Sequence, residues 1–515
     1  MSRIDRIALL LSLIAVLAAY LVADRVFERL PHLEDEIAYT WQAQVYARGE
    51  LTVPSPPHPK SMMIPFVVDY RGQRFAKYPP GWPLLLAMGI LIGVRSWVNP
   101  LLAGLGLWLT YRLGQRVLNS TVGLLAAILT LTSPFFLLNS GSLLAHPWSL
   151  ALSLGFVLSW LDTFDRKVNR DQKGVNAGSM LSGNHCLPPP WLTALIAGLS
   201  LGLLALTRPL TAIGVGLPFA VHGLILLVRG GWDVRRRVLL IGGTSMVIGT
   251  LVFAWQYAVT GDPMLNPYVL WWPYDKIGFG PGFGRQAGGH SLYWGWVSLK
   301  NSLRVTRGDL FGWGKFSWIF LPFGLWALRR ERTAWLLVAV FPSLMLVYMT
   351  YWIGSSLYGP RYYYEGLYSL TLVSAAGILW LANDVVRTGH WRRIFQAGAV
   401  VLLAMLLACN LVFYLHGRLG GMYGLYGIRR ERLEPFLTAE ARTLIPAVVV
   451  VHIKASWTDY GTLLDMEDPW LTTPFIFALS RPGVADAALA QDYPDRRLIY
   501  YYPDEANKFY RTPRN

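Results

Sequence analysis

Three consecutive carboxylates, Glu34, Asp35 and Glu36, follow the first apolar run of the sequence. A carboxylate beside a bilayer can act as a general base, because it takes the proton of a nucleophile as that nucleophile attacks. Apolar residues recur at helical spacing around the three acids, which predicts an amphipathic helix over residues 33–48 along the membrane surface. At 3.6 residues per turn, Asp35 and Glu36 point about 100° apart, so one can face a cavity while the other holds local structure. The open alternative is that all three only complement the positive end of the helix dipole.

Basic side chains that can bind an anionic leaving group form the second set of candidates. A phosphate leaving group needs cationic or metal stabilisation more than it needs protonation. Arg208 stands between two apolar runs on the side opposite the basic loops, which indicates an anionic partner. Lys77 precedes Tyr78 and two prolines, and an ordinary lysine that reaches the interface is the alternative. The candidate cations are Lys77, Arg208, Arg285 and Arg361.

Two further positions stay open between a functional and a structural role. Arg361 is followed by Tyr362 and, four residues on, by Glu365, so a structural ion pair along one helix is the alternative to anion binding. His146 begins an apolar run, and a single histidine there is more often a hydrogen-bonded structural group than a base or a ligand. The sequence alone leaves both choices open.

A glycine-rich segment, residues 278–285, invites comparison with a dinucleotide-binding loop. It contains proline, follows no predicted strand and opens no predicted helix, which excludes that class of site. A mobile external loop that closes over a ligand is the better prediction. The preceding aromatic residues Trp271, Trp272 and Tyr274 would stack on a sugar or anchor the loop at the interface.

The composition is that of a polytopic membrane protein. The 515 residues are 54% hydrophobic and 15% charged, with a formal net charge of +16. The basic residues cluster in short segments between apolar runs, which is the positive-inside pattern and argues against a nucleic-acid partner. Cys186 lies in a basic loop and Cys409 in an apolar run, so neither a disulfide nor a cysteine metal cluster is expected.

Eleven apolar runs are predicted to cross the membrane, and the first is predicted to be an uncleaved span. Residues 81–93 are too short to cross, which predicts an external interfacial or re-entrant helix. Twelve or thirteen crossings stay open if this segment does cross together with a further, unidentified segment. The eleven runs are 7–23, 98–113, 122–138, 147–161, 191–206, 212–228, 238–259, 316–328, 334–351, 367–381 and 394–415.

The basic loops set the predicted orientation in a plasma (inner) membrane, with the N-terminus in the cytoplasm. The first outer loop, 24–97, then carries the interfacial helices, and 260–314 is a long outer loop. Residues 416–515 also lie outside. Within them, 447–454 and 497–502 are predicted to be buried strands, which indicates a small extracytoplasmic α/β domain.

Several of these residues resemble a known family. Glu34-Asp35-Glu36 with Tyr39, the Tyr78-Pro79-Pro80-Gly81 run and the Arg361-Tyr362 pair are similar to the bacterial GT-C glycosyltransferases. The nearest group includes protein O-mannosyltransferases, aminoarabinose transferases of lipid A and lipopolysaccharide-core transferases. The resemblance covers residues 7–415, mostly as a hydropathy pattern. It implies a polyprenyl-phosphate sugar donor, reaction on the outer face and inversion at the anomeric carbon, with Asp35 as the catalytic base and Glu36 as its acidic neighbour.

One segment departs from the family. Many relatives carry an arginine and then an aspartate near the outer end of the third span. Residues 139–146 contain neither, and His146 stands about where the acid would fall. A second acidic site or a metal ligand is therefore not expected at this position.

We therefore predict a polytopic α-helical membrane protein of GT-C type, with about eleven and up to thirteen transmembrane helices in residues 1–415 and the small α/β domain in 416–515. Asp35 would activate an acceptor hydroxyl, and Glu36 would position the acceptor or the loop. The remaining predicted site residues would bind substrate, with one of the cations on the donor phosphate: Lys77, Tyr78, His146, Arg208, Arg361 and Tyr362.

The expected partners are a polyprenyl-phosphate sugar, a glycan, lipid or protein acceptor, and membrane lipids. No cofactor is required by the sequence, although a divalent cation would suit the chemistry. The alternatives are a transporter or flippase, or an O-antigen-type ligase or polymerase, for lipid-linked saccharides. Transporters typically hold ionisable residues in mid-membrane, whereas the acids here gather in an outer loop, which favours an enzyme. A non-catalytic surface protein would leave Asp35, Glu36 and Arg208 unexplained.

Overall fold

A computed structural model gives the structure of most of the chain. The basic segment 166–173, Cys186 and Arg387 lie outside the described residues. Cys409 is an exposed free thiol. The structure describes residues 2–165, 188–383, 390–453, 456–481 and 484–514.

Helices dominate the described part of the chain, and we label the α-helices in chain order. They are α1 (Arg3–Arg25), α2 (Glu34–Ala47), α3 (Gly81–Leu91), α4 (Val98–Val117), α5 (Ser120–Leu131), α6 (Pro134–Gly141), α7 (His146–Phe164), α8 (Pro190–Thr207), α9 (Pro209–Arg229), α10 (Trp232–Gly249), α11 (Leu251–Thr260), α12 (Tyr268–Trp271), α13 (Leu292–Asp309), α14 (Leu321–Leu328), α15 (Arg332–Tyr348), α16 (Leu367–Asn383), α17 (His390–Cys409), α18 (His416–Gly420), α19 (Ala439–Arg442) and α20 (Val484–Asp492).

Six of the helical segments in the described residues are long and apolar enough to cross a membrane, or seven if the bent pair α5–α6 forms one span. These helices indicate an integral membrane protein. Each of the eleven predicted spans contains helix, but several are short, bent or polar at one end, and the count of eleven stays a prediction. At eleven residues, α3 extends about 16 Å, half the thickness of the hydrocarbon layer.

Two small sheets accompany the helices. The first has the antiparallel order β1-β3-β2, from Val53–Pro54, Gln73–Ala76 and Val67–Tyr70. The second has the order β5-β4-β6-β7, and its central strand β4 is parallel to both neighbours. Its strands are β4 (Ala447–Val451), β5 (Phe475–Leu479), β6 (Arg497–Tyr501) and β7 (Phe509–Tyr510). Strands β4 and β6 lie within the predicted segments 447–454 and 497–502, of which residue 454 is outside the described residues. Every residue of β4 is buried, as expected of a central parallel strand.

The C-terminal residues pack onto the first loop of the chain. Arg95 forms a bidentate ion pair with Asp465, at 2.7 and 3.2 Å. The guanidinium of Arg48 lies 3.6 Å from the ring centroid of Trp470. The last residue of β5 donates its backbone N–H to the carbonyl oxygen of Ser61 at 2.6 Å. These contacts cover one side of α2.

The predicted helix is confirmed as α2, but it does not lie with one face exposed, as an amphipathic surface helix would. Ten of its 14 residues are buried, on all sides of the helix. The reason is that α3 packs on one side while C-terminal residues such as Leu464 and Glu467 lie near Trp41 on another. A sequence pattern reports apolar spacing, and it could not report that a distant segment covers the polar side.

Glu36 fixes the start of α2. Its side chain is buried, with the residue 1% exposed. One carboxylate oxygen accepts the backbone N–H groups of His32 and Leu33, at 2.6 and 3.0 Å, and the other accepts that of Leu143 at 2.7 Å. Burial raises the pKa of Glu36 to about 7, against the effect of these N–H donors. Glu36 therefore joins α2 to the loop between α6 and α7.

We expect Glu36→Gln to lower the free energy of unfolding by about 2 kcal/mol, because an amide cannot accept from all the N–H groups that the carboxylate satisfies. Thermal unfolding of the detergent-solubilised protein measures this loss. Glu34→Gln is the matched control, since Glu34 is the partly exposed acid at the other side of Asp35. Equal stability of the two variants would contradict the structural role of Glu36.

Candidate active site

Among the described residues, Asp35 is the only one of the three consecutive acids that forms an ion pair. Its Oδ2 lies 2.9 Å from Nη2 of Arg361, and its Oδ1 accepts the hydroxyl of Tyr78. Burial by itself would raise the pKa of the Asp35 carboxyl, but the charge of Arg361 and the Tyr78 hydrogen bond hold that pKa below its usual value. The side chain remains 18% exposed. Asp35 is therefore an ionised carboxylate that is open on one side.

Arg361 comes from a single helical turn, Arg361–Gly366, that leads into α16. The predicted alternative, an ion pair with Glu365 four residues on, is not formed, because the Arg361 guanidinium reaches Asp35 and Glu365 lies elsewhere. The second terminal nitrogen, Nη1, is buried and has no hydrogen-bond partner among the described residues. Arg361 thus pairs with Asp35 through Nη2, while Nη1 has no partner among the described residues.

Lys77 is buried, not extended to an interface. The residue is 2% exposed, and its Nζ lies 3.1 Å from Asp275 Oδ2. The same ammonium lies 3.7 to 4.8 Å from the ring centroids of Phe66, Tyr268 and Trp272. Burial lowers the pKa of Lys77, while the charge of Asp275 opposes that effect. The cation is therefore enclosed by aromatic faces with a single anionic partner.

Asp275 was not predicted as a site residue. Its other oxygen accepts the hydroxyl of Tyr351 at 2.8 Å and the indole N–H of Trp352 at 2.9 Å. In the sequence, Asp275 could have been noticed as the single acid that directly follows the aromatic residues Trp271, Trp272 and Tyr274. The glycine-rich loop that follows is held by backbone pairing of Ile277 with Tyr351.

Arg208, Glu365 and His146 form a third group. Arg208 lies between α8 and α9, and its guanidinium donates to the Glu365 carboxylate, to Nδ1 of His146 at 2.7 Å and to the Tyr348 hydroxyl at 3.0 Å. Because arginine has no acceptor, Nδ1 of His146 must accept, which places the ring proton on Nε2. That Nε2, and Oε2 of the fully buried Glu365, have no partner among the described residues. Glu365 is the second residue that the sequence analysis did not assign to the site.

Aromatic rings connect the three ion pairs. Tyr362 stacks on Tyr348, with centroids 4.8 Å apart, and the guanidinium carbons of Arg208 and Arg361 lie 5.9 and 5.8 Å from its ring. Tyr78 contacts the ring of Tyr268 at 5.4 Å and lies 5.4 Å from the Lys77 ammonium. All six predicted substrate-binding residues are therefore brought into one region with Asp35.

Gly81, at the start of α3, allows the chain to pack closely against the end of α8. A Cβ at this position would lie 3.0 Å from the carbonyl oxygen of Leu206 and would contact the Thr207 hydroxyl more closely still. The absence of a side chain thus lets the Lys77-Tyr78 segment lie against the end of α8, next to Arg208. The glycine of the Tyr-Pro-Pro-Gly run has this packing role.

Three carboxylates of the candidate site, Asp35, Asp275 and Glu365, are each paired with a basic side chain. Among the residues that the structure describes, no group of three or more His, Cys, Asp or Glu side chains is arranged to hold a metal. A divalent cation such as Mg²⁺ takes several oxygen ligands, whereas both Asp35 oxygens are bonded to Arg361 and Tyr78. The described side chains do not offer such a ligand set.

The overall fold is similar to that of two proteins with solved structures. ArnT from Cupriavidus metallidurans, bound to undecaprenyl phosphate, superposes with a TM-score of 0.55 over 96% of this chain and 89% of its own, at 15% identity. Its apo form gives a TM-score of 0.54 over 95% and 88%, at 14% identity. The archaeal oligosaccharyltransferase AglB from Archaeoglobus fulgidus, in complex with an inhibitory peptide and a dolichol-phosphate, gives 0.52 at 12% identity, over 92% of this chain and 65% of its own.

No protein-family model matches the sequence, and no curated protein matches it either. At identities of 12 to 15%, the similarity concerns the course of the backbone. It extends over nearly the whole chain, including the C-terminal residues. The chain therefore shares its overall fold with ArnT and AglB.

Proposed function

We propose that this protein is a glycosyltransferase that moves a sugar from a polyprenyl-phosphate donor to an acceptor hydroxyl on the outer face of the membrane, with inversion at the anomeric carbon. The observation that carries the proposal is the meeting of one ionised, partly exposed carboxylate with three cations in one aromatic-lined region. Lys77 is buried, and the side chains of Arg208 and Arg361 are only 11 and 16% exposed. The overall fold supports the same donor class, because ArnT, which shares this fold, has a solved structure with bound undecaprenyl phosphate.

Asp35 is the proposed base. As the acceptor oxygen forms its bond to the anomeric carbon, its proton passes to the Asp35 carboxylate, and the bond from that carbon to the phosphate oxygen breaks. The lowered pKa keeps Asp35 deprotonated before the reaction. The polyprenyl phosphate leaves as an anion and needs no proton of its own.

The cations bind the leaving phosphate in this mechanism. Arg361 is placed between base and leaving group, because Nη2 holds Asp35 while Nη1 has no partner among the described residues. Lys77 and Arg208 add positive charge from either side. Preorganised charge of this kind stabilises the developing phosphate anion without rearrangement in the transition state. Tyr78, Tyr362 and His146 would orient the sugar and the base.

Glu36 has a supporting role in this proposal. Its oxygens are occupied by backbone N–H groups, so it positions Asp35 through the start of α2 and does not contact the reacting atoms. The acceptor, the sugar and the extracytoplasmic location of residues 416–515 belong to the same proposal and are open to the assay below.

Asp35→Asn keeps the size of the side chain and removes its basicity. We expect transfer to fall by about 10²- to 10⁴-fold, with undecaprenyl phosphate still bound at near-normal affinity. Transfer from a panel of radiolabelled polyprenyl-phosphate sugars to membrane extract measures the first effect, and binding to the purified protein measures the second.

The two readouts separate the roles of Asp35. If the variant loses affinity for undecaprenyl phosphate in parallel with turnover, Asp35 acts by holding Arg361 and the base lies elsewhere. Near-normal transfer by the variant would remove Asp35 from the mechanism. If the wild-type protein transfers no sugar but translocates a lipid-linked saccharide, the transporter alternative replaces the enzyme.

Arg208 and Glu365 allow a second test. Glu365→Gln leaves the Arg208 charge buried without its anion, so we expect it to lower the free energy of unfolding by about 3 kcal/mol. The double variant Arg208→Gln/Glu365→Gln removes both charges and should regain much of that stability. It should not regain affinity for undecaprenyl phosphate, which titration of the purified protein measures. A double variant with normal affinity would exclude Arg208 from donor binding.

A further inference from the structure

A groove of about 660 Å³ lies on another side of the helices that carry the candidate active site. The helices α13, α14, α15 and α16 contribute to it, and none of the ion-paired site residues lines it. Its volume is within the range of cavities that hold small molecules. The apolar part of its wall is formed by Trp318, Leu321, Leu325, Val338, Phe341 and Met345.

One rim of the groove is cationic. Lys300, Arg304 and Arg307 follow each other at four- and three-residue spacing on α13, which places them on one face of the helix. All three are exposed. Within the described ranges none of them has an ion pair or a side-chain hydrogen bond. A row of like charges at this spacing destabilises a helix unless an anion lies beside it.

The nearest buried acid on α13 does not neutralise this row. The Asp309 carboxylate accepts hydrogen bonds from Nε and Nη2 of Arg418, at 2.9 and 3.0 Å, and from the Tyr414 hydroxyl at 2.8 Å. Its charge is therefore already balanced. The positive rim keeps its full capacity for an external anion.

The surface around the groove is apolar. Phe316, Ile319, Trp326 and Leu346 lie within two residues of the lining residues Trp318, Leu325 and Met345 in the sequence, and they are exposed although each is large and hydrophobic. Exposed apolar surface of this extent marks contact with lipid or with a partner. A ligand that fits both features must carry a negative head and an apolar chain, which is the description of an anionic lipid.

We propose that this groove binds an anionic phospholipid, with its head-group phosphate on Lys300, Arg304 and Arg307 and an acyl chain along the apolar wall. The site goes beyond the proposed transfer reaction and is independent of it. A bound lipid would hold α13 against α15, whose last residue, Tyr348, contacts Arg208.

Native mass spectrometry of the delipidated full chain, titrated with phosphatidylglycerol or phosphatidylcholine, tests the site. We expect the wild type to retain one phosphatidylglycerol in preference to phosphatidylcholine. The triple variant Lys300→Gln/Arg304→Gln/Arg307→Gln should bind it at least about tenfold more weakly, equivalent to about 1.4 kcal/mol. The matched control, Arg3→Gln/Arg392→Gln/Arg393→Gln, removes the same charge from exposed positions outside the groove and should bind normally.

The variant Val338→Phe, which fills part of the groove, distinguishes lipid binding in the groove from electrostatic attraction to the three surface cations. It keeps the three cations and should also lose the bound lipid. Normal binding by this variant, equal binding of the two phospholipids, or equal loss in the control triple variant would each overturn the proposal. Displacement of phosphatidylglycerol by stoichiometric undecaprenyl phosphate in an Arg361→Gln variant would also overturn it, because the groove would then be a prenyl-lipid site.

Discussion

Burial of charge is the constraint on which the candidate site depends. Lys77 is buried, the side chains of Arg208 and Arg361 are only 11 and 16% exposed, and an unpaired buried cation costs several kcal/mol. Each therefore has a carboxylate brought from a distant part of the chain: Asp275, Glu365 and Asp35. The three pairs join residues 24–97, residues 260–314, the junction of α8 and α9, and the turn before α16. The ion pairs therefore position the side chains that, in the proposed reaction, would contact the donor phosphate and the acceptor hydroxyl.

The division of labour between two adjacent acids follows from helix geometry. Asp35 and Glu36 point in different directions from the first turn of α2, so their surroundings differ completely. Glu36 is enclosed by backbone N–H groups and is a structural anchor. Asp35 meets Arg361 and Tyr78 and remains partly open. One residue anchors the start of the helix, and its neighbour presents a partly exposed carboxylate.

The protein has two kinds of cationic region. In the candidate active site Lys77, Arg208 and Arg361 are buried or largely buried and each is paired, so that an incoming phosphate must compete with, or share, a carboxylate partner. Along α13 the cations are exposed and, among the described residues, unpaired, beside an apolar groove. The first arrangement suits a charge that develops during a reaction, because the dipoles are fixed in advance. The second suits a permanent anion at a membrane surface.

The sequence alone predicted the membrane class, the helix of α2, the strands β4 and β6, and six substrate-binding candidates that do lie together. These depend on local periodicity, composition and residue type. It did not predict that Glu365 pairs with Arg208 and not with Arg361, that Asp275 neutralises Lys77, or that α2 is covered by C-terminal residues. The ion pairs join residues 157 and 198 positions apart. Only tertiary packing decides such partners, because the cost of burying a charge is met by whichever anion the fold brings within reach.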